Sequence, residues 1–261
     1  MTTRTSSGVD YDAIAHLYDS QPHRGKAVDP QLVTFIAQRA ALEHLSILDI
    51  ACGTGSQLVA NRSIAPEVQL VGLDRSFGML RQARLKLGNI AWVQADGVML
   101  PFRPESFDLI TCQFGFHHLP KKADMLCAVF QALRHDGRFV MRNLCPQKCP
   151  DWLYYDYFPE ALPIDLADFW PPETITATME AIGFSAVTVE LEHLRFEQDL
   201  SVWLDTVRRR DTNSQLMAIS DSAYEAGIHR LECEVAGGGA PVMRADHLCL
   251  ITIRADKDLS R

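Results

Sequence analysis

Between positions 46 and 143, short apolar runs alternate with stretches of helical period. Ile47-Leu48-Asp49-Ile50, Val68–Leu73, Trp92-Val93-Gln94, Phe107–Cys112 and Gly137–Asn143 read as strands, most of them apolar enough for the interior of a parallel sheet. Phe77, Leu80, Ala83 and Leu87 fall on one helical face, with Ser76 placed to cap it. Leu126, Val129, Phe130 and Leu133 fall on another. That helix is predicted to carry Arg134 and His135 in its last turn and to stop at Gly137. Strands and helices alternating at this pitch predict an α/β fold, a Rossmann-like doubly wound sheet, mostly parallel, with helices on both faces.

The flanks are patterned differently. Residues 1–9 are polar and read as a tail. A helix is predicted over Tyr11–Tyr18, a loop over Pro22–Asp29, and a second helix on Leu32, Phe35, Ile36 and Ala40. Leu144–Pro172 breaks the rhythm with Trp152, Tyr154, Tyr155, Tyr157, Phe158, Phe169, Trp170 and six prolines. It is too long and too aromatic for an ordinary connection and reads as a lid insertion over the mouth of a site. A helix from Pro172 to Gly183 follows, then a strand at Val187–Leu191 and helical sequence over 198–235 with a break near Asp211–Ser214. A glycine-rich loop over 236–241 leads to a last strand, Leu248–Arg254. The expected organisation is an N-terminal helical arm (1–45), a core (46–143), the lid (144–172) and a C-terminal half of the sheet with pocket helices (173–261).

The candidate chemistry gathers where the first strand ends. Asp49 is followed by the small-residue loop Ala51-Cys52-Gly53-Thr54-Gly55-Ser56. Glycines there permit close backbone approach, Ser56 can cap a following helix, and strand carboxyl ends are where open α/β sheets bind ligands. The loop lacks the third glycine of a dinucleotide fingerprint, and no Gly-Lys-Ser/Thr tripeptide exists for a phosphate loop. Two later strands also lead into acids, Asp74 and Asp96, and a fourth runs into Gln113-Phe114-Gly115-Phe116-His117-His118.

In order and spacing these segments resemble the successive motifs of class I S-adenosylmethionine-dependent methyltransferases, from about Ser46 to Arg142. One departure is Ala51, where many members have glycine; alanine costs little there if the backbone avoids a positive φ. The resemblance implies a reversed last strand hairpinned beside its neighbour. It also implies that S-adenosylmethionine is the cofactor and that N-terminal residues lie over it. Tyr11, Tyr18 and Arg24 are candidates for that cover, against a plain packing role.

Each part of such a cofactor needs different chemistry. Asp49 suits the ammonium of the amino-acid tail, or else braces the loop; Ala51, Gly53 and Gly55 form the cradle. Asp74 lies nineteen residues beyond Gly55, close to the spacing at which an acid meets a ribose diol, and Arg75 flanks it. Asp96 and Gly97 resemble the adenine-binding pair. Met79 is either an adenine-packing thioether or core. Gln113 and Phe114 end the fourth strand beside the expected methyl position. His117 and His118 are the candidate bases, and the sequence does not say which of them faces the site.

Composition narrows the partner. The 261 residues are 47% hydrophobic with net charge −8, which supplies a full core and disfavours a nucleic-acid surface. Seven scattered cysteines and no leader-like opening suggest reduced thiols in the cytoplasm. Apolar runs fall far short of a membrane span. Cys145 and Cys149 lack a second close pair for structural zinc, so no metal is expected. Arg208-Arg209-Arg210 reads as a charged face or, secondarily, an anion site. The expected function is methyl transfer to an oxygen or nitrogen of a partly apolar or aromatic small molecule. The rivals are a cofactor-binding module without turnover, an RNA or protein methyltransferase, and a nicotinamide dehydrogenase.

Overall fold

The apolar runs become strands in the computed structural model, which describes residues 9–20, 27–39, 45–86, 88–237 and 241–258. β1 (Ser46–Ile50) is buried at every position, and β2 (Gln69–Asp74) is buried from Leu70 onward. Both faces of these strands are therefore covered, as continuous apolar runs require. β1 pairs in parallel with β2 on one side and with β4 (Phe107–Gln113) on the other, Ile47 lying opposite Leu70 and Leu109. β2 pairs with β3 (Ile90–Gln94), and β4 with β5 (Leu133–Leu144), again in parallel. With β6 (Ser185–Asp199) and β7 (Met243–Lys257) the sheet has seven strands in the order β3-β2-β1-β4-β5-β7-β6. It is mostly parallel with a reversed last strand. The order turns back between β1 and β4, where open sheets leave a crevice at the strand carboxyl ends.

The helices start and stop on local chemistry. α1 (Tyr11–Tyr18) is capped by the Asp10 carboxylate, and α2 (Pro30–Ala37) by Asp29 with Pro30 at its first position. α3 (Ser56–Arg62) begins after Gly55, which is its N-cap in the left-handed region, so Ser56 is the first helical residue rather than the cap. α4 (Phe77–Arg84) is capped by the Ser76 hydroxyl on the Met79 amide, as its sequence predicts.

α5 (Lys122–Ala132) corrects the sequence reading. Leu133 is already extended and pairs with Phe107, so Arg134 and His135 belong to β5 rather than to a last helical turn. The Arg134 guanidinium meets Asp108 at 2.6 Å, an ion pair that favours the strand register. The left-handed residue before the continuing strand is Asp136 (φ 59°), not Gly137. β6 and β7 are also longer than expected, fifteen residues each.

The chain folds into two compact units. One comprises Asp10–Asn143, Glu173–Glu190 and the chain from Thr252. Its core joins Leu32 and Phe35 of α2 to Ile47, Leu58, Leu70 and Val140. It also holds α8 (Pro172–Ile182), whose first residue closes the other unit.

The other unit joins Leu144–Pro172 to Leu191–Ile251. It contains α6 (Leu153–Tyr157), α7 (Ala161–Asp168), α9 (Leu200–Val207), α10 (Ser214–Ala218) and α11 (Asp221–Ala236). The insertion's aromatics make a core here. Trp152, Tyr154, Tyr155, Tyr157 and Phe158 are all buried, and the Tyr154 and Trp203 rings meet edge to face at 5.1 Å. Arg208 and Arg210 are taken up by Glu232 (2.8 Å) and Asp221 (2.5 Å), as a charged face requires.

Arg24, Leu87, Ala40, residues 1–8 and the 238–240 part of the glycine loop lie outside the described residues. Among the described residues no helix is long and apolar enough to cross a membrane.

Candidate functional site

The loop after β1 turns through left-handed conformations at Ala51 (φ 56°), Gly53 (φ 56°) and Gly55 (φ 72°). The condition under which alanine costs little here is therefore not met: Ala51 stays in a conformation its Cβ disfavours by about 1 kcal/mol. Gly55 has a further reason to be glycine, since a Cβ there would lie 2.2 Å from the Trp92 ring.

Asp74 sits at the end of β2, almost wholly buried. Its Oδ2 accepts the Gly53 amide at 2.8 Å and its Oδ1 the Ser76 amide at 2.9 Å. Burial pushes this carboxyl above the usual aspartate range, partly offset by those two donors. Asp49 is buried beneath the loop, accepting the Thr111 hydroxyl at 2.7 Å.

Two adjoining clefts open on this loop and share Tyr18, Ala51, Gly53 and Phe114. The larger, about 640 Å³, is lined by Asp74, Arg75, Met79, Gly97, Leu119 and His118 among others. The smaller, about 500 Å³, is bounded by Asp49, Asp19, Thr54 and Gln113. Met79 is at once core and wall, since it is 2% exposed yet lines the larger cleft. Gln113 donates to Asp29 Oδ2 at 2.6 Å. Phe114 turns back on a positive φ of 55°.

Three sequence candidates do not line either cleft. Gly55 lies under the loop against Trp92. Asp96 is exposed, its Oδ1 accepting the Val98 amide at 3.1 Å, while its neighbour Gly97 forms the wall. His117 is buried behind His118, their ring centroids 3.8 Å apart. Burial, then the adjoining His118 and Lys122 charges, holds the His117 imidazole well below its ordinary pKa, against a hydrogen bond that the ring donates to Asn143. His118 faces the cleft, and its Nε2 shares a hydrogen bond of 2.7 Å with the Tyr11 hydroxyl.

Residues 47–137 match the family model for a methyltransferase domain. Among curated relatives, demethylmenaquinone methyltransferase of Lactococcus lactis is 37% identical over 105 residues, covering 38% of this chain and 42% of that protein. The protein of the same name from Lactiplantibacillus plantarum is 32% identical over 143 residues, 49% of this chain and 58% of the relative. The chain thus spans about half the length of the curated relatives it matches. Among solved structures, phosphoethanolamine N-methyltransferase 2 of Haemonchus contortus, in complex with phosphomonomethylethanolamine and S-adenosylhomocysteine, superposes with a TM-score of 0.56 at 16% identity. It covers 95% of this chain and 57% of that one. The YcgJ protein of Bacillus subtilis gives 0.55 at 19% identity, over 87% and 97%. These structural likenesses concern the fold.

Over residues 47–137 the chain is similar to methyltransferase domains.

Several residues that shape this cleft gave no signal in the sequence. Asp12 of α1 accepts the Ser76 hydroxyl at 2.8 Å and the Gly78 amide at 2.5 Å, pinning α1 to the start of α4. The Gly78 amide, then the Ser76 hydroxyl, holds the Asp12 carboxyl below the usual range. Asp19 forms an ion pair with Lys86 at 2.7 Å and accepts the Thr54 hydroxyl at 2.6 Å, while Lys86 donates to the Thr54 carbonyl at 2.7 Å. Burial works against the Asp19 charge, but the Lys86 and Thr54 bonds prevail and its pKa is lowered. One end of α1 is thereby fastened to the start of α4 and the other to the loop after β1, and Tyr11 and Tyr18 line the cleft. No motif spacing announces such contacts, because the partners lie 30 to 107 residues apart. Cys52 in the loop is a buried thiol pushed well above its usual pKa by burial and by Asp49, and is inert. Among the described residues no group of three or more His, Cys, Asp or Glu side chains is arranged to hold a metal ion.

Proposed function

We propose that the chain transfers a methyl group from S-adenosylmethionine to a small, partly apolar acceptor. The observation that carries this reading is the Asp74 carboxylate, held at the rim of β2 beside the left-handed Gly53 and facing a cleft of about 640 Å³. A fixed carboxylate on a cleft wall suits a vicinal diol, which donates two hydroxyls to it. Leu73, Met79 and Leu119 offer an apolar surface suited to adenine, and Asp49 bounds the adjoining cleft where an ammonium would be matched. These groups fit the cofactor's three parts.

When bound, S-adenosylmethionine supplies an electrophilic methyl on a sulfonium. The chain supplies position and water exclusion, which carry much of the effect in such a displacement. Tyr11 and Tyr18 wall the cleft from the N-terminal side. His118, tied to Tyr11 through Nε2, is the group suited to accept the proton from an acceptor's oxygen or nitrogen. His117 serves as the neutral, buried support behind it. The names of the curated relatives favour a small apolar acceptor. Seven unbridged cysteines favour the cytoplasm.

The test is thermal stabilisation by S-adenosylhomocysteine, with NAD as the control ligand, on the wild type and Asp74→Ala. A ligand at 100 times its Kd stabilises the folded state by about 2.7 kcal/mol. The expected outcome is a shift with S-adenosylhomocysteine alone, lost in Asp74→Ala. No shift at saturating ligand would overturn the reading.

A further inference from the structure

Outside the cleft, the unit that joins 144–172 to 191–251 holds a line of polar groups ending on a buried thiol. Asp151 Oδ1 lies 2.8 Å from His247 Nδ1, His247 Nε2 lies 2.9 Å from His193 Nδ1, and His193 Nε2 lies 3.9 Å from Cys249 Sγ. One assignment of protons satisfies every link. The ionised Asp151 carboxylate only accepts, so His247 carries its proton on Nδ1. Its Nε2 then accepts from His193 Nδ1–H, and His193 Nε2 is left as the acceptor for the Cys249 S–H. The direction of the whole line is set by the carboxylate at its far end.

A second thiol adjoins the first. The Cys145 amide donates to the Cys249 carbonyl at 2.9 Å, which sets the two residues side by side, and the Cys145 thiol interacts with the Cys249 sulfur. Burial raises all three neighbouring thiols, Cys145 to about 12 and Cys149 to about 11. Cys249 is raised by burial too, yet the Cys145 thiol and the Lys148 charge both favour its thiolate. Of the three, Cys249 is the one with an imidazole placed to take its proton.

We propose that Cys249 and Cys145 form a hydroperoxide-reactive dithiol site, with His193 as the proton acceptor and His247 and Asp151 as positioning residues. Cys249 gives its proton to His193 Nε2, and its sulfur attacks one peroxide oxygen. The O–O bond breaks, and the leaving oxygen takes the proton from His193 and departs as water, leaving a sulfenic acid. The Cys145 sulfur then attacks Cys249 Sγ; the S–O bond breaks, and hydroxide leaves with the Cys145 proton as a second water. Two thiols are oxidised to one disulfide and one hydrogen peroxide is reduced. Cys249 is fully buried, so bulky thiol reagents are excluded and a reagent as small as hydrogen peroxide reaches it through local opening of the fold.

The experiment treats the full chain with hydrogen peroxide and follows intact mass and cross-linked peptides. A product about 2 Da lighter with a Cys145–Cys249 bridge is expected, formed about 10-fold or more slowly in His193→Ala and also slowed in Asp151→Asn. Cys149→Ser retains the bridge. A bulky maleimide labels the exposed Cys127 and Cys233 and spares Cys249. Oxidation confined to Cys127 and Cys233, a Cys145–Cys149 bridge instead, or an unchanged rate in His193→Ala would each overturn the proposal. S-adenosylhomocysteine binding, unaffected in these variants, verifies that they fold.

Discussion

A Cβ placed on Gly115 would lie 2.4 Å from the Cβ of Ala51. The loop after β4 and the loop after β1 therefore touch at a point where only one of the two residues can carry a side chain. Gly115→Ala is expected to destabilise the protein by about 1–3 kcal/mol, the usual cost of overpacking, and to weaken S-adenosylhomocysteine binding. Ala51→Gly alone changes stability by less than about 1 kcal/mol, because relief of its left-handed strain opposes the added freedom of the unfolded chain. The double variant recovers most of the loss. Denaturant titrations of the four proteins give the coupling, and additive losses would show that the two positions are independent.

Asp12 holds α1 through two charge-assisted bonds, to Ser76 and Gly78. Asp12→Ala should raise the Kd for S-adenosylhomocysteine by about 10-fold, while overall unfolding shifts by about 1 kcal/mol, since the sheet does not depend on α1. Calorimetric titration beside a melting curve separates the two effects. An unchanged Kd would mean that α1 does not shape the cleft.

His117 is buried neutral, its pKa held well below the ordinary histidine value. The unfolded chain takes up a proton at this residue below about pH 6.5 and the folded chain does not. Stability is therefore lost as pH falls from about 6.5 toward the folded pKa. His117→Asn should flatten the dependence of the urea midpoint on pH between about 5 and 6.5. A slope equal to that of the wild type would place a protonated imidazole in the core.

Asp165 is the opposite case. It is fully buried, accepting the Tyr155 hydroxyl at 2.8 Å and the Gln215 amide at 3.2 Å, and burial pushes its carboxyl up to about 7. Between about pH 4 and 7 the folded chain holds a proton that the unfolded chain has released, so stability falls as pH rises through that window. Asp165→Asn should melt above the wild type at pH 8, with the gap closing below about pH 5. Equal melting temperatures at both pH values would show the carboxylate to be well solvated.

The sequence carried the sheet and the cradle clearly. β1, β2 and β4 are largely apolar runs that carry Asp49, Asp74 and Gln113 at or next to their carboxyl ends, so period and punctuation alone place three walls of the cleft. It could not show that Ala51 takes a positive φ, because an alanine in a strained turn looks like an alanine in a helix. It read Arg134 and His135 as a helix end because basic residues before a glycine usually are one; a long-range pair with Asp108 prevails instead. The aromatic stretch from Trp152 to Phe158 was legible as unusual but not as a core, since its partners Trp203, Leu216 and Leu231 lie some fifty to eighty residues onward. The line from Asp151 to Cys249 draws on separate segments and has no spacing to detect.

The same separation orders events during synthesis. A chain made from its N-terminus releases α1 before anything exists for it to grip: Asp12 must await Ser76, 64 residues later, and Tyr11 must await His118, 107 residues later. Contacts this remote carry a larger loop-closure cost than local ones and form after them. The nascent sheet therefore emerges with its ligand face bare, and α1, translated before the sheet, docks on the cleft after it.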